Sequence, residues 1–169
     1  MKGYIGIDLG GTAIKYGLVS ESGEILKKYK VVTPAGSKYT DTVSAIASAV
    51  QELSSEHGVL VCGMGIGAPG VADGEKGLVL TSGNLGWENK PLARDLSEKL
   101  GIPVTLMNDA NAAAFGEYAC GAGKEYRSVV LLTLGTGVGS GIVLNGKLFE
   151  GNEGAGAELG HEVIRAGGE

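Results

Sequence analysis

The spacing of apolar residues changes several times along the chain, and each change predicts an element. Tyr4–Leu9, Ile14–Val19 and Ile25–Val32 are apolar or alternating runs separated by turn residues. They predict three successive strands in an antiparallel meander. Val43, Ile46, Ala47, Val50 and Leu53 then recur at helical spacing. Thr40 or Asp41 is expected to cap that helix and Gly58 to end it. Val61–Ala68 predicts a buried strand despite its alternating glycines, broken by Ala68-Pro69-Gly70. Leu78–Leu80 predicts a short strand. Asn89-Lys90-Pro91 opens a helix that runs through Leu100 and stops before Gly101. Val104–Met107 predicts a strand and Asn111–Cys120 an alanine-rich helix. Ser128–Leu134 and Gly139–Leu144 predict two further strands, and Lys147–Phe149 starts a third.

The order is three strands, then helix, strand, helix, strand, helix, then three strands again. It predicts an α/β fold with a mixed sheet and crossover helices. A boundary is expected near Met107, giving an N-terminal α/β domain at 1–107 and the opening part of a second at 108–169. A three-stranded sheet without covering helices is a poor independent unit. The chain therefore reads as cut within its second domain, and is expected to associate or to be unstable alone.

The two groups of strands share a layout. Asp8-Leu9-Gly10-Gly11-Thr12-Ala13-Ile14-Lys15 follows the apolar run Tyr4-Ile5-Gly6-Ile7. Thr133-Leu134-Gly135-Thr136-Gly137-Val138-Gly139 follows Val129-Val130-Leu131-Leu132. Each leads to another apolar run and then a turn, Ser22-Gly23 in one copy and Asn145-Gly146 in the other. Glycine-rich turns present backbone N–H groups that suit phosphate oxygens. One such turn is also what an ordinary hairpin favours. Two, in a repeated strand–turn–strand unit, suggest two halves that hold a polyphosphate between them.

Composition narrows the function classes. The chain has 169 residues, 43% of them hydrophobic, with 31 glycines but only 4 prolines. The glycines fall in tight turns between apolar runs, so they read as close-approach sites rather than linker. Net charge is −5, and no basic run exceeds Lys27-Lys28, which argues against a nucleic-acid partner. Cys62 and Cys120 read as free, buried thiols of a reducing compartment. No apolar stretch approaches a membrane span, and Met1 leads almost directly into the first strand. A cytoplasmic protein without a signal peptide or membrane partner is expected.

Five motifs occur in order: Asp8-Leu9-Gly10-Gly11-Thr12-x-x-Lys15, Gly83-Asn84-Leu85-Gly86-Trp87, Asn108-Asp109-Ala110-Asn111-Ala112-Ala113-Ala114, Leu134-Gly135-Thr136-Gly137-Val138-Gly139 and Glu158-Leu159-Gly160-His161. In this the chain resembles the ROK family of bacterial sugar kinases, and within it the glucokinases. The resemblance implies the actin-like (ribonuclease H-like) ATPase fold. It implies an ATP-dependent hexose kinase that transfers the γ-phosphoryl group of MgATP to the 6-hydroxyl of glucose. Members run to roughly twice this length. They continue into a Cys-x-Cys-Gly-x-x-Gly-Cys zinc site, a further sugar-binding Glu, an adenine-binding region and a C-terminal helix that packs on the first domain. None of these follows here, which weighs against zinc binding and stand-alone catalysis. The resemblance also makes a homodimer a possible assembly.

Phosphoryl transfer to a hydroxyl calls for a base, phosphate donors and magnesium. Asp109, between a strand end and a helix start, is the candidate base; it is equally placed to cap the helix. Asp8 is the candidate magnesium-side carboxylate, acting through water, with an Asx turn as the plainer alternative. Gly10, Gly11 and Thr12, and Thr136 and Gly137 in the second copy, are candidate phosphate contacts. Lys15 either reaches a phosphate or is a solvated strand lysine. By resemblance, Asn108, Asp109, Glu158 and His161 line the sugar, with Asn84 a weaker contact or an ordinary turn residue. Glu158 and His161 share a face only if they lie on a helical turn. In the full-length family His161 would also serve zinc. His57 reads as a capping or surface residue, and Trp87 as packing rather than a sugar platform. The alternatives to a kinase are a sugar-responsive ROK transcription regulator and a catalytically inactive sugar-binding fragment. The regulator would carry a DNA-binding segment before the first phosphate turn, and Met1 stands only seven residues ahead of Asp8.

Overall fold

The computed structural model describes residues 2–33, 38–135, 137–152, 154, 156–165 and 167. The chain divides into two compact units, Met1–Asp109 and Ala110–Glu169.

The first unit is built on a five-stranded sheet of order β3-β2-β1-β4-β8. Strands β1 (Lys2–Leu9), β2 (Ala13–Val19) and β3 (Ile25–Val32) form the expected antiparallel meander. Strands β4 (Leu60–Ala68) and β8 (Val104–Asn108) continue the sheet in parallel with β1. Side chains alternate across a strand. Ile5, Ile7 and Leu9 of β1, Ile14 and Leu18 of β2, and Met64 and Ile66 of β4 therefore share one face, and all are buried. Helices α1 (Tyr39–His57) and α2 (Leu92–Leu100) join them in one core through Val43, Ile46, Val50 and Leu53 and through Leu92 and Leu96. The glycines of β4 at 63, 65 and 67 alternate with these apolar residues and fall on the opposite face.

The start of α1 differs from expectation. Lys38 occupies the N-cap position, and Asp41, three residues on, accepts the Lys38 backbone N–H at 3.0 Å. The helix thus begins before Thr40 because a carboxylate in its third position satisfies the cap from inside. Two short strands were not legible: β5 (Val71–Asp73) and β7 (Trp87–Lys90). They flank β6 (Leu78–Ser82) in a small antiparallel sheet. β7 takes the residues expected to open α2, so that helix starts only after Pro91. Trp87 is buried and meets Tyr39 edge-on, with centroids 5.1 Å apart, as a packing residue would. The Tyr39 hydroxyl donates to Asp95 at 2.8 Å, and burial followed by that bond pushes its pKa upward. His57 is not simply a cap or surface residue: its ring lies 2.6 Å from the Tyr29 hydroxyl.

The second unit contains α3 (Asp109–Cys120, its first residue in the first unit), β9 (Val129–Leu134), β10 (Val138–Leu144) and β11 (Lys147–Leu148). The strands form a three-stranded antiparallel sheet of order β11-β10-β9, the repeated meander in shortened form. Ala110 and Ala114 of α3 pack against Gly139 and Gly141 of β10. α3 begins two residues earlier than its apolar pattern indicates, because Asp109 itself enters the first turn. The thiols differ from the expected buried pair: Cys120 is exposed and Cys62 only half-buried, and both are free. Among the described residues, no helix is long and apolar enough to cross a membrane.

Candidate active site

Parallel strands end on the same side of a sheet, and that places the acids of the first unit. In register, Asp8 of β1 faces Gly67 of β4, and Ala68 of β4 faces Asn108 of β8. With neighbouring strands about 4.8 Å apart, Asp8 and Asn108 stand at one sheet edge, two strands from each other. Asp109 follows directly as the first residue of α3, exposed at the same edge. This is the carboxyl end of the strands, where ligands bind in open α/β sheets.

The first glycine turn runs from Asp8 to the start of β2. Gly10 N–H donates to the Ala13 carbonyl at 2.9 Å, and the Thr33 hydroxyl donates to the Gly10 carbonyl at 3.0 Å. Gly11 and Thr12 are exposed at its tip. A Cβ on Gly11 would sit 3.1 Å from the Asn84 carbonyl oxygen, so the turn after β6 lies directly beside the first glycine turn. Lys15 pairs in register with Asp8, and its Nζ lies 2.8 Å from the carboxylate. That bond, and then the charge itself, raise the Lys15 pKa above its ordinary value. Lys15 is a solvated strand lysine that pairs with Asp8. Asn108 donates from Nδ2 to the Gly70 carbonyl at 3.0 Å.

In the second unit, the turn between β9 and β10 closes with a Gly135 N–H to Gly137 carbonyl bond of 2.9 Å. Gly137 is exposed there, while Thr136 lies outside the described residues. Leu159–His161 forms a single 3₁₀ turn. His161 Nε2 therefore lies 3.9 Å from Glu158, on the shared face a helical turn predicts. This turn is held against β10. Gly160 packs on Val138, Ser140 donates from Oγ to the Ala157 carbonyl, and Leu159 N–H donates back to Ser140 Oγ at 3.0 Å. Ser140 was missed by the sequence reading, although a serine amid the apolar residues of a strand is a signal for such a bond. Gly70 was read only as a strand breaker. The structure thus gathers Asp8, Gly10, Gly11, Thr12, Lys15, Asn84, Asn108 and Asp109 around one edge of the first unit. It gathers Gly137, Glu158 and His161 around the start of β10 in the second.

Metal donors are sparse. Among the described residues, no group of three or more His, Cys, Asp or Glu side chains is placed to hold an ion. Magnesium commonly takes one or two carboxylates plus substrate phosphates and keeps several waters. Exposed Asp8 beside the glycine turn fits that requirement.

The chain is 46% identical over 165 residues to a glucokinase of Thermotoga maritima, covering 97% of this chain and 51% of that protein. It is 44% identical over 157 residues to a glucokinase of Streptomyces coelicolor, covering 93% and 48% respectively. Among solved structures, it superposes with a TM-score of 0.86 and 43% identity on a ROK family glucokinase from Streptomyces griseus in complex with glucose and AMPPNP, covering 96% of this chain and 51% of that one. The chain spans about half the length of the curated relatives it matches. Its mixed sheet with crossover helices is that of the actin-like ATPase fold shared by these neighbours. The ROK family model matches residues 4–169, and the chain belongs to the ROK family.

Proposed function

We propose that this chain carries phosphate- and sugar-binding residues of an ATP-dependent hexose kinase that transfers the γ-phosphoryl group of MgATP to the 6-hydroxyl of glucose. The observation that carries this reading is the shared strand edge at which Asp8, the first glycine turn and Asn108-Asp109 converge. Its agreement with curated glucokinases at 44–46% identity supports the substrate pair.

Each group has a task. Backbone N–H groups of the first glycine turn, with the Thr12 hydroxyl, bind phosphate oxygens. Thr136 and Gly137 of the second glycine turn are phosphate contacts by the same motif chemistry. Asp8 would hold a hydrated magnesium ion, which would supply charge neutralisation at the phosphates. Lys15 holds the Asp8 carboxylate in place across the β1–β2 pair and leaves a positive charge beside the phosphates. Asp109 accepts the proton of the 6-hydroxyl as its oxygen attacks the γ-phosphorus. Asn84, Asn108, Glu158 and His161 hydrogen-bond the remaining hydroxyls. This polarity suits a sugar with hydroxyls in fixed directions.

The test is a coupled assay of ADP release with glucose and MgATP, paired with calorimetry of glucose binding to this chain. Glucose binding by this chain, and sugar-dependent ADP release by a protein of its relatives' full length that contains it, are expected. ATP hydrolysis at the same rate without sugar would sink the reading.

A further inference from the structure

The turn that follows β4 ties together parts of the first unit that no motif connects. Gly70 has φ +96°, a conformation open to glycine and costly for residues with a side chain. Its Cα lies hard against β6. A Cβ there would stand 2.9 Å from Ser82 Cα and would overlap the Thr81 carbonyl oxygen. Its own carbonyl accepts the Asn108 side-chain amide at 3.0 Å. One residue without a side chain thus joins the end of β4, the end of β6 and the end of β8.

We propose that Gly70 is a positioning residue for the sugar side of the site, fixing the Asn108 amide and the Thr81–Asn84 segment in one mutual geometry before any ligand binds. The physical reason is preorganisation. With Nδ2 held on a backbone carbonyl, the Asn108 amide has a set orientation instead of rotating. With Thr81 and Ser82 seated on a bare Cα, the turn bearing Asn84 cannot drift from β8. Polar groups aimed at a sugar contribute most when they need no ordering on binding. What this geometry serves rests on the hexose-kinase reading above; the coupling itself belongs to the fold.

Two variants test it. Asn108→Ala removes the hydrogen bond and leaves the glycine backbone untouched. By nuclear magnetic resonance, the backbone amides of Gly70 and of Thr81–Asn84 are expected to shift and to exchange with solvent about tenfold faster or more. If they match those of the parent chain, the proposal is overturned. Gly70→Ala forces the backbone to move. In the folded variant, the Asn108 side-chain amide resonances should move toward those of a solvated amide, and the calorimetric Kd for glucose should rise by about tenfold or more. A folded variant with the parent's Asn108 resonances and glucose affinity would also overturn it. Should Gly70→Ala fail to fold, the Asn108→Ala exchange result decides alone. A parent chain that binds no glucose counts against the kinase reading, and the exchange comparison still judges the coupling.

Discussion

The two units solve the same folding problem with unequal means. Among the described residues, the first has eight strands in two sheets and two helices, which share a continuous core from Ile5 to Leu106. The second has three strands and one α-helix among its described residues. On β9 of that unit, Val130, Leu132 and Leu134 share a face and are 59%, 56% and 82% exposed. The same strand–turn–strand motif thus ends in a sealed core in one copy and in open apolar surface in the other. Chemistry is also divided unequally. The acids Asp8 and Asp109 stand on the edge of the well-packed sheet, whereas Glu158 and His161 ride on a single 3₁₀ turn pinned through Ser140. A glycine turn can be repeated cheaply; the layer that buries the strands beneath it must be built each time.

The largest expected effect concerns the division of chemistry. In a complete protein of its relatives' length, Asp109→Ala should lower turnover by several orders of magnitude, near the upper end of the roughly 10²–10⁴ that a general base contributes, with modest change in glucose affinity. Steady-state kinetics with glucose and MgATP check it, and near-normal turnover would remove Asp109 from the role of base.

The packing contrast is next. Leu96→Ala, in the sealed core, should cost about 2–5 kcal/mol in denaturant unfolding. Leu132→Thr, on the open face, should stay within about 0.5 kcal/mol and should reduce self-association seen by light scattering. Equal losses at the two positions would mean that the β9 face is covered in solution.

Tyr39→Phe probes one polar bond inside the first unit. Loss of the hydroxyl that donates to Asp95 should cost about 1 kcal/mol. A thermal melt of the variant measures it, and an unchanged midpoint would mean that the bond contributes nothing.

The smallest effect is a pH dependence. Hydrogen bonds from the Lys76 ammonium and backbone hold the Asp73 carboxyl below its ordinary value of 3.8. Such a group contributes stability above its unfolded pKa and loses it as pH falls through the lower folded pKa. Asp73→Asn should therefore weaken the β5–β6 turn slightly at neutral pH, and the difference should vanish in acid below that depressed pKa. A difference that persists there would assign it to something other than charge.

Much of this was legible in advance, for reasons visible in particular residues. Ile5, Ile7 and Leu9 alternate because one face of β1 is buried, and Val43, Ile46, Val50 and Leu53 recur at helical spacing because one face of α1 is. Local periodicity reports burial directly. Asp8 and Asp109 stood out by residue type at strand ends, and Asn108 through the family resemblance. By contrast, Asn89-Lys90 looked like a helix opening because the pairing of Trp87–Lys90 with β6 across the Gly83–Gly86 turn leaves no periodic trace in four residues. Cys120 looked buried because an alanine-rich helix hides which face meets a partner.

The sequence by itself determined most of the strands and helices, the repeated glycine turns and the identity of the acids, since these follow from side-chain chemistry and local spacing. Tertiary structure alone decided that Lys15 grips Asp8, that the Asn84 turn touches Gly11, and that Asn108 is held by Gly70. Each of those contacts joins elements whose register and strand order are set by the whole sheet, and sheet order is a property of packing that no short window of residues contains.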